Sequence, residues 1–186
     1  LGDVYKRQPQ TRDLISRLNL AAITVLNNKN DVLPLHPDLK EAAILNVGKP
    51  EEIEPFDRKM KKYTSFARFQ LRKDLPEAEQ QKLRDSLAAY RRVIVTVTEQ
   101  RLAPYQSFFA KFAPESPVIY VFYTPAKSML QIQRAVSAAE AVVLAHASRD
   151  DIQERVADLL FGKATADGRL SASIGGLFPT GSGVTI

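Results

Sequence analysis

Apolar residues along this chain recur in two periods, one of three to four and one close to two, and their alternation sets out the elements. From Thr11 to Asn27 the residues Leu14, Ile15, Leu18, Ala22, Val25 and Leu26 fall at spacings of three and four, which predicts a helix with one apolar face. The polar run from Asn27 to Asp31 ends it, because short polar side chains bond to nearby backbone and tolerate left-handed conformations. Leu33-Pro34-Leu35 then reads as an extended apolar anchor, since proline pushes the residue before it out of the α region. Ala42 to Val47 (AAILNV) predicts a buried strand closed by Gly48, and Tyr63 to Leu71 a second, more exposed one. Pro76 suits a first helical turn, and Leu83, Leu87 and Tyr90 share a face after it.

Val93–Thr98 (VIVTVT) and Val118–Tyr123 (VIYVFY) are β-branched and aromatic with hardly a polar break, the pattern of strands covered on both faces. Between and after them, Leu102, Tyr105, Phe109 and Phe112, then Met129, Ile132 and Val136, mark helical faces. Ala141–Ala147 (AVVLAHA) predicts another strand, and Ser148-Arg149-Asp150-Asp151 matches a serine cap with an acid three residues later. Ile152, Val156, Leu159 and Leu160 carry the helix that follows to Gly162, and Arg169–Ile174 (RLSASI) is expected as a final short strand. Alternation of this kind demands crossovers between parallel strands, with the helices on the sheet faces. The expected fold is α/β, a three-layer sandwich with a mostly parallel sheet of about five or six strands and helices on both faces.

The sequence has 186 residues, enough for one domain that buries its own core. Hydrophobic residues at 45% and charged residues at 25% fit a globular composition and exclude a disordered or fibrous one. With no cysteine there is no disulfide framework, thiolate metal site or cysteine nucleophile. No apolar run reaches the length of a membrane-spanning helix, and no membrane partner is expected. Arg58, Lys59, Lys61, Lys62, Arg68, Arg72 and Lys73 concentrate much of the positive charge. Without stacking aromatics or a nucleic-acid motif they read as a solvated face, and no nucleic-acid binding is expected. Leu1–Gln8 carries no apolar periodicity and is set aside as a tag or assembly scar, leaving residues 9–186 as a single domain. Gly175–Gly183 reads as an exit linker.

Candidate chemistry is sparse. Gly48 is followed by Lys49-Pro50-Glu51-Glu52, which lacks the further glycines of a dinucleotide turn. Thr180-Gly181-Ser182-Gly183 lacks the lysine of a phosphate loop, and no G-x-S-x-G nucleophile elbow occurs. Two histidines without nearby ligands do not make a transition-metal site, so no metal and no cofactor is expected. What remains is a set of strand-end residues: Glu99 after VIVTVT, His146 at the end of AVVLAHA, and Asp150 and Asp151 just beyond it. Strand C-termini are where open α/β sheets bind ligands, but acids at a helix start also complement its dipole. Capping is the preferred reading of Asp150 and Asp151, and solvated strand-end polarity that of Glu99.

Three segments in order carry a family resemblance. Ala21-Ala22-Ile23-Thr24-Val25-Leu26-Asn27-Asn28 followed by Asp31-Val32-Leu33-Pro34-Leu35 is similar to a V-L-L-K-N then L-L-P-L pattern, with Asn27 where that pattern has lysine. Ala157-Asp158-Leu159-Leu160-Phe161-Gly162 resembles the same family's helix end, and Ala166-Asp167-Gly168-Arg169-Leu170-Ser171 its G-R-L-P segment, with Ser171 in place of proline. Together they resemble the C-terminal α/β sandwich domain of glycoside hydrolase family 3. Gly175–Ile186 (GGLFPTGSGVTI) further resembles β-N-acetylglucosaminidase-like members, in which a β-lactamase-type serine hydrolase domain follows.

The resemblance implies a domain that packs on a TIM barrel of the same parent polypeptide, where the nucleophilic aspartate resides. Members resembling β-glucosidases take an acid/base glutamate from this domain, for which Glu99 is an outside candidate, whereas N-acetylglucosaminidase-like members use a histidine on a barrel loop. The closer likeness is to the second group, so the resemblance implies no catalytic residue in this chain. It also implies a periplasmic or extracellular location, and polypeptide before Leu1 and beyond Ile186. An accessory domain of this kind is expected to leave an apolar patch uncovered. Two further readings are a freestanding flavodoxin-like module that binds a small ligand or signals, and a self-sufficient hydrolase using Glu99 or His146.

Overall fold

The structure, a computed structural model, describes residues 2–37 and 41–186, with the backbone alone for residues 2–9. Its elements in chain order are α1 (Gly2–Ala21), β1 (Thr24–Asn28), β2 (Ala42–Val47), α2 (Glu54–Met60), β3 (Phe66–Leu71), α3 (Glu77–Ala88), β4 (Arg92–Val97), α4 (Gln106–Ala110), β5 (Val118–Phe122), α5 (Gln133–Ser137), β6 (Ala141–Leu144) and α6 (Asp150–Leu160). Among the described residues six strands form one sheet in the order β1-β6-β5-β4-β2-β3. Every pairing is parallel except that of β1 with β6.

Alternate residues of the central strands serve opposite layers. Val93, Val95 and Val97 of β4 join Leu87, Phe108 and Val136 from α3, α4 and α5 in one apolar cluster. Ile94 joins Phe56, Met60, Val156 and Leu160 from α2 and α6 in the other. The molecule is a three-layer α/β sandwich. A buried polar ladder crosses three strands: the Thr96 hydroxyl donates to Asn46 Oδ1 at 3.0 Å, and Asn46 Nδ2 donates to Gln70 Oε1 at 3.2 Å. Such a ladder favours one register, because a slip would strand these groups without partners in a low-dielectric interior.

Several elements differ from the sequence reading. The opening helix stops at Ala21, and Thr24–Asn28 is a strand. There Val25 and Leu26 enter opposite layers, each fully covered, an arrangement a shared helical face would forbid. The β-branched Thr24 and Val25 suit that role, and β1 supplies partners to the open edge of β6. The same helix runs back through the backbone of Gly2–Gln8, the stretch set aside on sequence. The second strand begins at Phe66, since Tyr63 and Thr64 close a turn on the Met60 carbonyl. Helix α2 lies in a stretch where no periodicity marked a helix.

Arg149, not Ser148, occupies the cap of α6, and no side chain caps it. Gln153 Nε2 draws the Ser148 carbonyl inward at 2.7 Å and also bonds Glu52 O at 2.7 Å, so a buried glutamine organises that turn. Arg169–Ile174 is irregular chain, with only an isolated bridge from Ile174 to Phe178. Nor does Gly175–Gly183 leave the domain as a linker. The segment folds back, with Gly181 N on Leu170 O at 2.8 Å, Leu170 N on Ser182 O at 2.9 Å and Val184 N on Val25 O at 2.7 Å.

Candidate functional site

The C-terminal edge of the parallel strands collects the chemistry this chain offers, because the connections leaving it diverge. The segment after β2 turns to the α2/α6 layer, whereas that after β4 turns to the α3/α4/α5 layer. β5 and β6 diverge in the same way, with Met129 and Ile132 going to one side and Ile152 and Val156 to the other. Neighbouring strands whose connections part leave a crevice between them, the place where open α/β sheets take ligands.

The crevice at β2 and β4 measures about 320 Å³ and is lined by Gly48, Arg72, Lys73, Glu99 and Tyr105 among others. Gly48 has φ of +138°, and a Cβ there would lie 2.0 Å from Thr98 Oγ1, so this close approach requires glycine. Glu99 is committed locally. One oxygen accepts from Arg101 N at 3.1 Å and the other lies 3.9 Å from Lys73 Nζ. Burial, then the negative charges of Glu99 and Asp74, push the Tyr105 phenol above its ordinary value.

A larger cleft of about 530 Å³ opens at β5 and β6. Its walls are the end of α1 at Ala21 and Ala22, the turn after β5 at Ala126, Lys127 and Leu130, and the stretch 168–175. His146 stands on its rim with φ of +68°, an uncommon conformation for a side-chain-bearing residue. Partial desolvation lowers the imidazole below its ordinary value, opposed by a hydrogen bond to the Ala22 backbone. Arg169 is fixed in this wall: Nη1 donates to the carbonyls of Asp167 and Gly168 at 3.0 and 2.9 Å, and Nη2 to Thr185 Oγ1 at 2.8 Å.

Asp150 and Asp151 open α6. Asp151 accepts from Ser16 of α1 at 2.6 Å and from Arg149 at 2.9 Å, which ties the two helices together. Desolvation opposes ionisation of its carboxyl, but the Ser16 hydrogen bond and the Arg149 charge prevail and hold it below the usual carboxylate range. Asp150 is exposed. Among the described residues none of Glu99, His146, Asp150 and Asp151 hydrogen-bonds or ion-pairs with another of the four. β5 separates the strands that carry Glu99 and His146, which sets the strand ends roughly 10 Å apart. No acid/base pair is assembled from the four.

Sequence reasoning missed Lys127 and Arg169 as features of this edge. Arg169 stood in a segment read as a strand, and a strand reading says nothing of a wall that folds back on itself. Among the described residues no group of three or more His, Asp or Glu side chains forms a metal cluster, and no helix is long and apolar enough to cross a membrane. One apolar surface stands out elsewhere: Leu14, Ile15 and Leu18 of α1 are 53%, 47% and 60% exposed, although their spacing is that of a packed face.

No family model and no curated protein matches the sequence. Solved structures do. A β-glucosidase from Listeria innocua in complex with isofagomine superposes with a TM-score of 0.66 at 15% identity, over 90% of this chain and 27% of that one. A glycoside hydrolase family 3 β-N-acetylglucosaminidase from Paenibacillus sp. str. FPU-7 gives 0.61 at 14% identity, over 84% and 31%. A fungal multi-domain β-N-acetylglucosaminidase of that family gives 0.59 at 19% identity, over 88% and 19%. The chain therefore spans less than a third of the length of each of these proteins. At such identities the likeness establishes a common fold.

Proposed function

We propose that this chain is the non-catalytic α/β domain of a glycoside hydrolase family 3 enzyme, of the β-N-acetylhexosaminidase or β-glucosidase type, which hydrolyses O-glycosyl bonds. The observation that carries the reading is the superposition of nearly the whole chain on little more than a quarter of a β-glucosidase. The remaining polypeptide of the parent supplies the sugar-cleaving groups on a TIM barrel, and this domain packs against it. Two features of the molecule support that division. Glu99 and His146 belong to separate crevices and assemble no acid/base pair, and the apolar face of α1 is left in water, as a surface meant for an adjoining domain would be. A β-lactamase-type serine hydrolase domain following Ile186, and a periplasmic or extracellular location, belong to the same proposal.

Aryl β-glycosides, the N-acetylglucosaminide included, test it when assayed with the 186-residue chain and with a longer polypeptide that adds the preceding domain. Turnover is expected from the longer protein alone. Enzyme-like turnover by the short chain would overturn the proposal. A tight complex of the short chain with a flavin or nucleotide would instead favour the freestanding module, whose strand order this sheet shares once β1 is set apart.

A further inference from the structure

We propose that the cleft at the ends of β5 and β6 binds the anionic group, carboxylate or phosphate, of a small polar molecule of monosaccharide size. The inference does not depend on the accessory role, since every group it uses lies in this chain. Its volume of about 530 Å³ falls in the range of small-molecule sites. Lys127 and Arg169 bring positive charge to its lining, and among the described residues no Asp or Glu lines it. Lys127 Nζ has no hydrogen-bond or ion-pair partner among the described residues, as is also the case for Lys49, Lys61, Lys62 and Lys163, but of these only Lys127 lines this cleft.

Arg169 is the stronger element. Its three hydrogen bonds all go to neutral acceptors, two carbonyls and a threonine hydroxyl. A guanidinium has five N–H groups, so Nε–H and one N–H of Nη2 make no bond among the described residues while the other three bonds hold the plane in place. No carboxylate neutralises it among the described residues. A fixed guanidinium with donors to spare is suited to carboxylate or phosphate oxygens, and fixing it beforehand lowers the ordering cost of binding.

The wall that presents Arg169 is also held. Leu170 and Ile174 are buried anchors, and Leu170 exchanges backbone bonds with Ser182 and Gly181 at 2.9 and 2.8 Å. Ser171 and Ser173, between these anchors, add hydroxyls to the cleft lining. Ala21, Ala22, Ala126 and Leu130 form the apolar part, against which the carbon face of a sugar-sized ligand would rest.

Amide NMR of the 186-residue chain at low ionic strength, titrated with glucuronate, glucose 6-phosphate, inorganic phosphate and neutral glucose, tests the site. Saturable shifts confined to residues 126–130, 146 and 168–175 are expected with at least one of the sugar anions and none with glucose. Glucuronate and glucose 6-phosphate distinguish a carboxylate from a phosphate ligand. Lys127→Gln, at an exposed position, is expected to weaken binding about fivefold, and Arg169→Gln by more. Because Arg169 also holds its own wall, the Lys127 variant keeps the test decisive if Arg169→Gln unfolds. The proposal is overturned by shifts that do not saturate, by shifts mapping elsewhere, by equal binding of glucose, by a response to inorganic phosphate alone, or by unchanged affinity in Lys127→Gln.

Discussion

Replacing Leu14, Ile15 and Leu18 of α1 by glutamine probes whether their exposed face is a docking surface. Glutamine keeps much of the helix propensity of leucine, so the change acts mainly on apolar area. The three side chains are 53%, 47% and 60% exposed, which leaves roughly one and a half side-chain equivalents of apolar surface in water. At about 1.5–3 kcal/mol for each fully buried side chain, covering that surface contributes roughly 2–5 kcal/mol to an interdomain contact. The halves already covered within this chain are partly retained by the glutamine stems, so the short chain is expected to lose clearly less. Urea unfolding of the short chain, beside thermal unfolding and limited proteolysis of the longer polypeptide, measures both. The expected outcome is a small shift in the first and a large loss of interdomain cohesion in the second. Equal losses in the two proteins, or no loss in the longer one, would refute the reasoning and reduce the face to loosely packed surface.

The Asp151 contact predicts a pH response. Its carboxyl titrates lower in the fold than in the unfolded chain, so the stabilisation is present above its ordinary value near 3.8 and is lost as pH falls through the lower folded value. Acid unfolding of Asp151→Asn should show a weaker dependence over that window, with α1 protease-sensitive already at neutral pH; an unchanged acid limb would contradict the assignment. Inside the sheet, Asn46→Leu leaves the Thr96 hydroxyl and the Gln70 carbonyl without their partner, and a loss of about 1–3 kcal/mol is expected in denaturant unfolding.

Much of the architecture was legible in the sequence because the central strands and their helices carry their own periodicity. VIVTVT and VIYVFY became β4 and β5 almost to the residue, since a strand covered on both faces must be apolar throughout. Gly162, with φ of +72°, closes α6 where sequence placed the stop. The three-layer class and five of the six strands, β2 to β6, follow from such local signals and from the geometry of parallel crossovers, whereas β1 does not and the strand expected at Arg169–Ile174 is irregular chain.

What the tertiary structure alone decided lies at the edges. Val25 and Leu26 suit a helix by spacing, yet became strand because β6 had an open edge and both layers had space to fill. Arg169 and Lys127 stand 42 positions apart in sequence, and only the folded-back stretch 168–175 brings them to one cleft. Glu99 and His146 share an edge by topology but occupy different crevices, because β5 lies between their strands. Periodicity records which face of an element is buried. It does not record which elements become neighbours, and a site is made of neighbours.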